Sequence, residues 1–473
     1  MRGMPNREID HDRELRETIT YAYTHSLFYK WFYKKHNIDV HSIRGLRDYD
    51  SLPILRKEDI FSFAEESGVE ELWCIHDYKD LKVVTTTGIT GKRLKVPLTQ
   101  MDIYRFIQKP CMNSLYWWGW EECPINIIRW EHSPDSTVAL WLNSIAKITG
   151  GKRYLAEEIE KNTFKYKAVN NEALTYINLP SLSKFMGSPF HRQIFSEVNL
   201  RYIFTLVTPS EVKTGFHAKI KAELGNTNLI PFYGSTEALF VGASCPYTFE
   251  DGYIHVVQPG LFQIIDHNGS LCDEGKGELI YTSLGRGAFP FIKYSTGDVV
   301  TLKKEHGCGC GYSGWNLRFE ARRPLTVKIQ YPDGYFIDIV KVVEKTKEII
   351  PGSQIMCVYG EHPYKHFLFL AIFIGVSKAI AVNERKLKDK IIKNVILVHV
   401  PFDKINKAGL SNLIAEWNPI LPIFFVDIED IPIESGVNKP KLLLNLMGDG
   451  EEKLLESSCY QNILSKIKEY WRK

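Results

Sequence analysis

The sequence predicts an α/β fold class: a large N-terminal α/β domain with mixed sheets and a β-rich end, plus a small mobile C-terminal α/β domain. The chain has 473 residues, and at about 150 residues per domain this is too long for a single core. Strand-like and helix-like segments alternate between residues 199 and 232, as in sheets covered by helices. Glycine-rich turns between residues 275 and 314 then separate short strand-like segments, which predicts the β-rich end.

Individual elements follow from the hydrophobic pattern. Apolar and aromatic residues recur at helical spacing over residues 12–36, so we expect one amphipathic helix there. A β-branched strand is expected over residues 81–87, where it runs into a glycine-rich segment. Strands are also expected over residues 202–208 and 229–232, with a helix over 211–224 between them.

A domain boundary is expected near Arg322. Helix and strand signals resume after Pro324 and continue over a length that suits one compact domain. We therefore predict a large N-terminal domain over residues 1–322 and a smaller C-terminal domain over residues 323–473.

Composition argues against several classes of function. The formal net charge is +3 and basic residues are interleaved with acidic ones, which gives no case for nucleic-acid binding. No apolar stretch approaches the roughly 20 residues that a membrane-spanning helix needs. The first 15 residues are charged and lack the apolar core of a secretion signal, so we expect a cytoplasmic protein. Nine cysteines, two of them as Cys308-Gly-Cys310, suit a reducing compartment and a metal site.

Three short segments carry chemistry suited to a nucleotide. The first reads Thr85-Thr86-Thr87-Gly88-Ile89-Thr90-Gly91-Lys92. Hydroxyls, backbone N–H groups exposed by glycine and a lysine are what a polyphosphate requires. The spacing differs from the Walker motif, and the segment alone also fits a surface hairpin turn.

The second segment is Phe232-Tyr233-Gly234-Ser235-Thr236-Glu237, at the end of an expected strand. Its aromatic ring can stack on a base, and its carboxylate can hold Mg²⁺ against phosphate oxygens. A structural interpretation is equally available: Ser235 or Thr236 would cap a helix that begins here, with Glu237 in its first turn. The two interpretations are compatible.

The third segment is Tyr294-Ser295-Thr296-Gly297-Asp298. An aspartate after a Thr-Gly turn can accept hydrogen bonds from two ribose hydroxyls, as acidic residues do in other nucleotide folds. The alternative is an Asx-type turn between strands.

In this order the three segments resemble those of the adenylate-forming (acyl-CoA synthetase-like) superfamily. The resemblance narrows to its phenylacetate-CoA ligase branch through three further runs of sequence. These are the run from Tyr21 to Asp59, the Leu179-Pro180-Ser181 segment, and the run from Leu271 to Tyr294. This branch also includes the coenzyme F390 synthetases. The resemblance extends over nearly the whole chain to about residue 330 and is weak beyond. It implies that residues 1–322 are an adenylation domain and residues 323–473 a lid domain.

The resemblance implies an enzyme and its partners. A small carboxylic acid would attack the α-phosphorus of ATP, pyrophosphate would leave, and the acyl-AMP would pass its acyl group to a thiol such as CoA. Mg²⁺ is implied as a cofactor. Positioning and charge neutralisation dominate such a reaction.

The resemblance also implies roles, position by position. The phosphates would be gripped by the loop residues Thr86, Thr87, Gly88, Thr90, Gly91 and Lys92. Tyr233 would pack on adenine beside Gly234 and Ser235, Thr236 would meet the α-phosphate, and Glu237 would hold Mg²⁺. Asp298 would bind the ribose, and Arg322 would approach the ribose or phosphate from the hinge.

Two features of the C-terminal part concern the individual reaction steps. Members of the family place a lysine on a C-terminal loop during adenylation; here Lys439 is the candidate and Lys441 the reserve, unless both are simply solvated. The family hinge Gly-Arg-x-Asp-Asp reads Ala321-Arg322-Arg323-Pro324-Leu325 here, so both acids are absent and a proline fixes φ. We therefore expect transfer to CoA to be altered or replaced by another acceptor.

A zinc site is expected from cysteine and histidine. Cys245, His255, Cys308 and Cys310 supply three thiolates and one imidazole, the ligand set of a closed tetrahedral site. Zinc-bearing members of the branch resemble this arrangement. His267 and His306 are rival fourth ligands, Cys272 could replace His255, and unliganded buried thiols are the alternative. Four protein ligands leave no open position, so the expected role is structural.

Three functions are compatible with these features. They are acid–CoA ligation, adenylation with a non-CoA acceptor (an amine, a carrier-protein thiol or a phenolic cofactor), and a nucleotide-binding module that has lost catalysis. Retention of the phosphate loop, Glu237 and Asp298 favours an enzyme. The aromatic run from Tyr116 to Trp120 raises the option of an aryl acid but does not assign one, since consecutive aromatics on a helix point in all directions. The acid, the acceptor and the oligomeric state stay open, a homodimer being one allowed state.

Overall fold

A computed structural model of the protein describes most of the chain, and all structural statements below concern its described residues. These are residues 11–77, 79–86, 93–129, 136–155, 172–189, 195, 198–207, 209–266, 268–322, 326–329, 335–361, 368–376, 383–400, 405–406, 408–431, 443–445 and 458–472.

The described α-helices occur at both ends of the chain and between strands. In chain order they are α1 His11–His25, α2 Leu27–Lys35, α3 Lys57–Ser67, α4 Gln100–Ile103, α5 Lys109–Trp117, α6 Thr137–Thr149, α7 Leu179–Gly187, α8 Pro209–Lys213, α9 Phe216–Glu223, α10 Ile339–Ile349, α11 Glu384–His399, α12 Leu410–Trp417 and α13 Ser458–Arg472. None of them is both long enough and apolar enough to cross a membrane.

The described strands are short in the first half of the chain and longer in the middle. They are β1 Lys82–Thr85, β2 Lys95–Leu98, β3 Asn126–Arg129, β4 Arg153–Leu155, β5 Ala173–Tyr176, β6 Leu200–Thr205, β7 Asn228–Ser235, β8 Leu239–Ala243, β9 Ile254–Val256, β10 Gly260–Ile265, β11 Leu271–Cys272, β12 Gly275–Ser283, β13 Tyr294–Glu305, β14 Gly314–Arg322, β15 Thr326–Ile329, β16 Tyr335–Asp338, β17 Gln354–Glu361, β18 Leu368–Val376, β19 Ile423–Asp427 and β20 Leu443–Asn445.

Twelve of these strands form one mixed sheet, in the order β11-β10-β12-β13-β14-β9-β8-β7-β6-β5-β3-β4. The strands from β4 through β3, β5 and β6 to β7 pair in parallel. From β7 onward every pair is antiparallel. Strand β7 is therefore the strand at which the parallel half of the sheet meets the antiparallel half. The predicted α/β class with a mixed sheet and a β-rich end is confirmed.

The predicted helix over residues 12–36 is wrong at one position. Ser26 separates α1 from α2. Its hydroxyl accepts a hydrogen bond from the Tyr29 N–H and donates one to the Leu72 carbonyl at 2.8 Å. A serine that caps a new helix competes with continuation of the old one, which the apolar periodicity does not reveal.

The predicted helix over residues 211–224 is likewise interrupted. It forms as α8 and α9, separated by Thr214 and Gly215. Gly215 has φ +65°, a left-handed conformation that glycine adopts without a steric penalty. Glycine ends helices for this reason.

The described C-terminal part has a sheet and cores of its own. Strands β19-β18-β17-β20 form a four-stranded sheet. One cluster of buried apolar side chains is drawn from residues 15–317, and two further clusters are drawn from residues 337–467. This separation fits a boundary after Arg322, but residues 323–325 lie outside the described residues, and the limits 1–322 and 323–473 stay a prediction.

Helices α8 and α10 bring the two parts into contact. Lys213 Nζ lies 3.1 Å from Glu348 Oε1. Lys347 Nζ lies 4.0 Å from Glu211 Oε1, and the Glu211 carboxylate is almost fully buried. Each helix thus contributes one lysine and one glutamate to the contact.

Glu344 on α10 gives the stability a pH dependence. Burial raises its pKa to about 7, and the nearby carboxylates of Asp338 and Glu348 act in the same direction, against Lys345 and Lys341. Because the folded-state pKa lies above the unfolded value, ionised Glu344 opposes folding. This cost is absent below about pH 4.5 and complete above about pH 7.

We predict that Glu344→Gln raises the melting temperature at pH 8 more than at pH 5. Neutral glutamine removes the cost of a buried charge, which the wild-type protein carries in full only at the higher pH. Thermal melts at both pH values check this. Glu250→Gln, which changes an exposed glutamate, is the control. An equal shift at the two pH values would contradict the account.

Candidate nucleotide site and metal centre

The hairpin between β7 and β8 carries the Tyr233–Glu237 segment. A Cβ atom at Gly234 would lie 2.3 Å from the Leu239 carbonyl oxygen, so the two strands can approach only with glycine there. Leu239 itself has φ +65°, an uncommon conformation for a residue with a side chain. The helix cap expected at Ser235 or Thr236 is wrong: the chain turns directly into β8, and the Ser235 hydroxyl accepts the Ala238 N–H at 2.9 Å. A helix does not form here because the backbone of residues 232–235 pairs with β8 in an antiparallel ladder.

Glu237 lies in this turn with its side chain largely buried. Lys57 Nζ lies 3.3 Å from its Oε1 oxygen. The Tyr294 hydroxyl donates to the same oxygen at 3.3 Å. The Arg286 guanidinium donates to the Glu237 backbone carbonyl. Glu237 is therefore a buried carboxylate with compensating charge on one side, as burial of an ionised group requires.

Tyr233 and Asp298 are brought together across the antiparallel half of the sheet. The Tyr233 hydroxyl donates to Asp298 Oδ2 at 2.6 Å, and both residues are buried. The Tyr233 ring is near-parallel to that of Phe319, with centroids 6.4 Å apart. Asp298 lies within β13, one residue after Gly297 at φ +74°, and pairs with Arg322 at the end of β14. The turn expected at Asp298 is instead an irregular point inside a long strand.

The N-terminus of α6 reaches the same hairpin. The Thr137 hydroxyl lies 3.3 Å from that of Thr236. Ser136 caps the helix by accepting the Ala139 N–H at 3.0 Å. Thr236 is thus next to a helix N-terminus, where backbone N–H groups and the helix dipole favour an anion.

The four predicted metal ligands converge at the other end of β8. The ligand atoms of Cys245, His255, Cys308 and Cys310 all lie within 4.8 Å of one another. His255 Nε2 is 3.2 Å from Cys245 Sγ and 3.3 Å from Cys310 Sγ, and Cys245 Sγ is 3.6 Å from Cys308 Sγ. Zinc bonds of about 2.3 Å to sulfur and 2.0 Å to nitrogen give ligand separations of about 3.5–3.8 Å in a tetrahedron, close to these distances.

Neighbouring groups fix the orientation of His255. The Asn316 amide donates to Glu305 Oε2 at 2.9 Å, so its oxygen faces His255 Nδ1 at 2.6 Å and accepts the Nδ1 proton. This leaves Nε2 toward the three thiols. Burial lowers the pKa of His255, which keeps the imidazole neutral. Tyr312 stacks on the ring with centroids 4.1 Å apart. Such support is typical of histidines that bind metal.

The rival ligands are not part of this group. Within the described chain the group contains neither Cys272, which pairs with Ile264 between β10 and β11, nor His306. His267 lies outside the described residues.

The aromatic run that raised the option of an aryl acid lies around the cysteine cluster and in the core. Trp117 packs edge-on against His255 at 4.8 Å. Trp118 donates to the Ser244 carbonyl and Trp120 to the Cys123 carbonyl. These side chains therefore contact the cysteine cluster and the core.

Comparisons with known proteins address the fold. No family model matches the chain. The phenylacetate-coenzyme A ligase of Thermus thermophilus is 22% identical over 367 residues, covering 73% of this chain and 77% of the relative. The structure of 2-hydroxyisobutyryl-CoA ligase in the postadenylation state with 2-HIB-AMP has a TM-score of 0.62 at 12% identity, covering 97% of this chain and 91% of that chain. An acyl acid amido synthetase in complex with 2,4-DB has a TM-score of 0.61 at 14% identity, covering 94% and 92%.

The chain has the fold of the adenylate-forming ligases. The resemblance to this superfamily, and within it to a phenylacetate-CoA ligase, is confirmed by these similarities.

Several predicted residues of this adenylate-forming fold lie outside the described residues. They are Thr87, Gly88, Thr90, Gly91, Lys92, Pro324, Lys439 and Lys441. Thr86 is described at the base of the predicted phosphate loop, where its hydroxyl accepts the Leu94 N–H at 2.8 Å and its N–H donates to the Leu94 carbonyl. Thr86 and Leu94 thus extend the antiparallel pairing of β1 with β2.

Sequence reasoning did not assign Lys57 or Thr137 to the candidate nucleotide site, although both contact the Thr236–Glu237 turn. Lys57 is the first residue of α3, where the helix dipole disfavours a cation. The position is unusual for a lysine, but nothing in the local sequence connects it to Glu237, 180 positions away. Nothing in the local sequence connects Thr137 to Thr236, which are 99 positions apart.

Proposed function

We propose that the protein is an ATP-dependent adenylate-forming ligase. It activates a small carboxylic acid as an acyl-AMP with release of pyrophosphate and then transfers the acyl group to CoA. The observation that carries the proposal is the convergence of the Tyr233–Glu237 and Tyr294–Asp298 segments, joined by the Tyr233–Asp298 and Tyr294–Glu237 hydrogen bonds. These two segments are distant in sequence, so chain connectivity alone does not bring their polar side chains into contact.

Each side of the hairpin has a proposed role. Asp298, oriented by the Tyr233 hydroxyl at 2.6 Å, accepts hydrogen bonds from the ribose, and the Tyr233 ring packs on adenine beside Gly234 and Ser235. Thr236 meets the α-phosphate beside the α6 N-terminus. Arg322 reaches the ribose or phosphate.

A second set of residues is proposed to bind the phosphates. It consists of Thr86, Thr87, Gly88, Thr90, Gly91 and Lys92. Glu237 fits Mg²⁺, since it is a hard oxygen ligand and no described hydrogen bond reaches its Oε2 oxygen. When bound, Mg²⁺ supplies charge neutralisation at the phosphate oxygens.

The chemical step depends on how the protein positions the two substrates, and the protein forms no covalent bond to either of them. A carboxylate oxygen of the acid forms a bond to the α-phosphorus in line, and the bond from that phosphorus to pyrophosphate breaks. Lys439, or Lys441 in its place, is proposed to stabilise the developing charge from the C-terminal part. ATP and CoA as substrates fit a cytoplasmic location, which belongs to the same proposal.

We predict that Glu237→Gln nearly abolishes pyrophosphate exchange dependent on a carboxylic acid. The amide keeps the shape of the side chain but removes the negative charge that a divalent metal requires. A panel of acids assayed with labelled pyrophosphate measures this, and Glu223→Gln on the exposed face of α9 is the control. Undiminished exchange in Glu237→Gln would remove this residue from the metal site.

A second candidate function concerns the acceptor. The hinge run Ala321 to Leu325 lacks both acids expected for transfer to a thiol, and an acyl acid amido synthetase is among the structures of similar fold. Adenylation followed by transfer to an amine, a carrier-protein thiol or a phenolic cofactor is therefore the alternative.

We predict that acyl-AMP forms faster than CoA consumes it, because a proline at the hinge restricts the rotation that thiol transfer requires. Rapid-quench mass spectrometry of acyl-AMP and thioester, with and without CoA, measures both rates. Reaction with a panel of amines in place of CoA distinguishes the alternative. Thioester formation as fast as adenylation would contradict the restricted hinge.

Zinc is the metal proposed for the cysteine cluster. Three thiols, a neutral imidazole with its tautomer fixed by Asn316, and separations of 3.2–3.6 Å fit a closed tetrahedral site. Bound there, zinc would cross-link β8, β9 and the turn between β13 and β14. A site with four protein ligands supports the fold and takes no part in the reaction.

We predict about one zinc per chain in protein purified without chelators, and its loss in Cys308→Ser. Because metal binding energy is also folding energy, this variant should melt at a lower temperature. Elemental analysis and thermal melts measure the two effects. Cys272→Ser, which changes the rival cysteine outside the cluster, should keep the metal. Metal-free wild-type protein would overturn the zinc proposal.

A further inference from the structure

The carboxylate of Glu237 is held through one of its two oxygens. The Tyr294 hydroxyl and the Lys57 ammonium both lie 3.3 Å from Oε1. Within the described part of the chain, no hydrogen bond reaches Oε2. The protein therefore holds one oxygen of this carboxylate and leaves the lone pairs of the other oxygen for a ligand.

Tyr294 is rigidly placed for such a contact. It is 2% exposed, and its ring packs edge-on against Phe291 with centroids 4.9 Å apart. The backbone is fixed on both sides, because Leu55 donates its N–H to the Lys293 carbonyl and accepts the N–H of Ser295. The hydroxyl therefore contacts Glu237 with little loss of side-chain freedom.

Burial keeps the Tyr294 hydroxyl a donor. It raises the pKa of Tyr294 well above its usual value, and the neighbouring Glu237 carboxylate adds to this effect. The hydroxyl therefore stays protonated and acts as the donor in its contact with Glu237.

The main chain of Glu237 is fixed from another direction. Arg286 is 1% exposed and donates to the Glu237 carbonyl. Its guanidinium also lies over the Phe291 ring at 5.1 Å. With the backbone held by Arg286, the freedom that remains is rotation of the side chain, and Tyr294 and Lys57 limit it.

We propose that Tyr294 is a positioning residue which sets the rotation of the Glu237 carboxylate so that Oε2 faces the Mg²⁺ of bound Mg·ATP. Lys57 balances charge at Oε1, whereas the hydroxyl supplies the direction, since a hydroxyl hydrogen bond is more directional than contact with an ammonium on a flexible stem. This inference rests on the proposed function.

Tyr281 offers a matched control. It lies opposite Tyr294 across the β12–β13 pair and is fully buried. The described hydrogen bonds to the Glu237 carboxylate come from Lys57 and Tyr294, and Tyr281 is not among them. Tyr281→Phe therefore removes the same atom from the same layer of the sheet without touching Glu237.

The test is ATP binding by calorimetry over a range of Mg²⁺ concentrations and in EDTA. Tyr294→Phe should raise the Mg²⁺ concentration for half-maximal binding about tenfold, the scale of one hydrogen bond to a charged group. Binding of metal-free ATP should stay at the wild-type level, which also shows that the variant is folded. Tyr281→Phe should match wild type in both measurements.

Three results would overturn the inference. Wild-type Mg²⁺ dependence in Tyr294→Phe would mean that the hydroxyl does not orient the carboxylate. Equal weakening of ATP binding with and without metal would mean a general structural role. Wild-type protein whose ATP binding is indifferent to Mg²⁺ would overturn both this inference and the metal role of Glu237, whereas acid-dependent exchange in the same protein would still support adenylation.

Discussion

The tight hairpin between β7 and β8 is the constraint on which both candidate sites depend. Gly234 lets the two strands approach where a side chain would collide with the Leu239 carbonyl. One end of the hairpin directs Glu237 toward Lys57 and Tyr294. The other end of β8 leads to Cys245, which lies beside His255 and the two cysteines of the turn between β13 and β14. A single local geometry thus connects a cluster of polar side chains at one end of β8 with a cysteine cluster at the other end.

The fold class followed from the sequence because it depends on patterns that are local. Alternation of strands and helices before residue 232 and glycine-rich turns after residue 275 are enough to predict mixed sheets with a β-rich end. Breaks that depend on one side chain were missed, as at Ser26, where a hydroxyl caps a new helix. The helix expected after Ser235 failed for a different reason, since pairing with β8 is a long-range preference that overrides a capping pattern.

The candidate site was predictable to the extent that its chemistry lies in contiguous segments. Tyr233, Glu237 and Asp298 stand in such segments, and the structure brings the segments together. Lys57 and Thr137 lie on helices elsewhere in the chain, and no local sequence pattern predicts their contacts with Glu237 and Thr236. The cysteine cluster shows the same division: the ligands were recognisable by type, whereas Asn316 and Glu305 behind His255 depend on the pairing of β13, β14 and β9.

Strands β13 and β14 form a long antiparallel pair that is closed by one turn. Cys308 and Cys310 lie in that turn, and Asp298 faces Arg322 near the opposite end, about 23 Å away at the usual rise of a strand. The chain leaves this opposite end for its C-terminal part. The two candidate sites therefore share one strand pair, with the cysteines in its turn and Asp298 near its other end. The ladder of β13 and β14 joins the cysteine turn to the point at which the chain leaves for its C-terminal part.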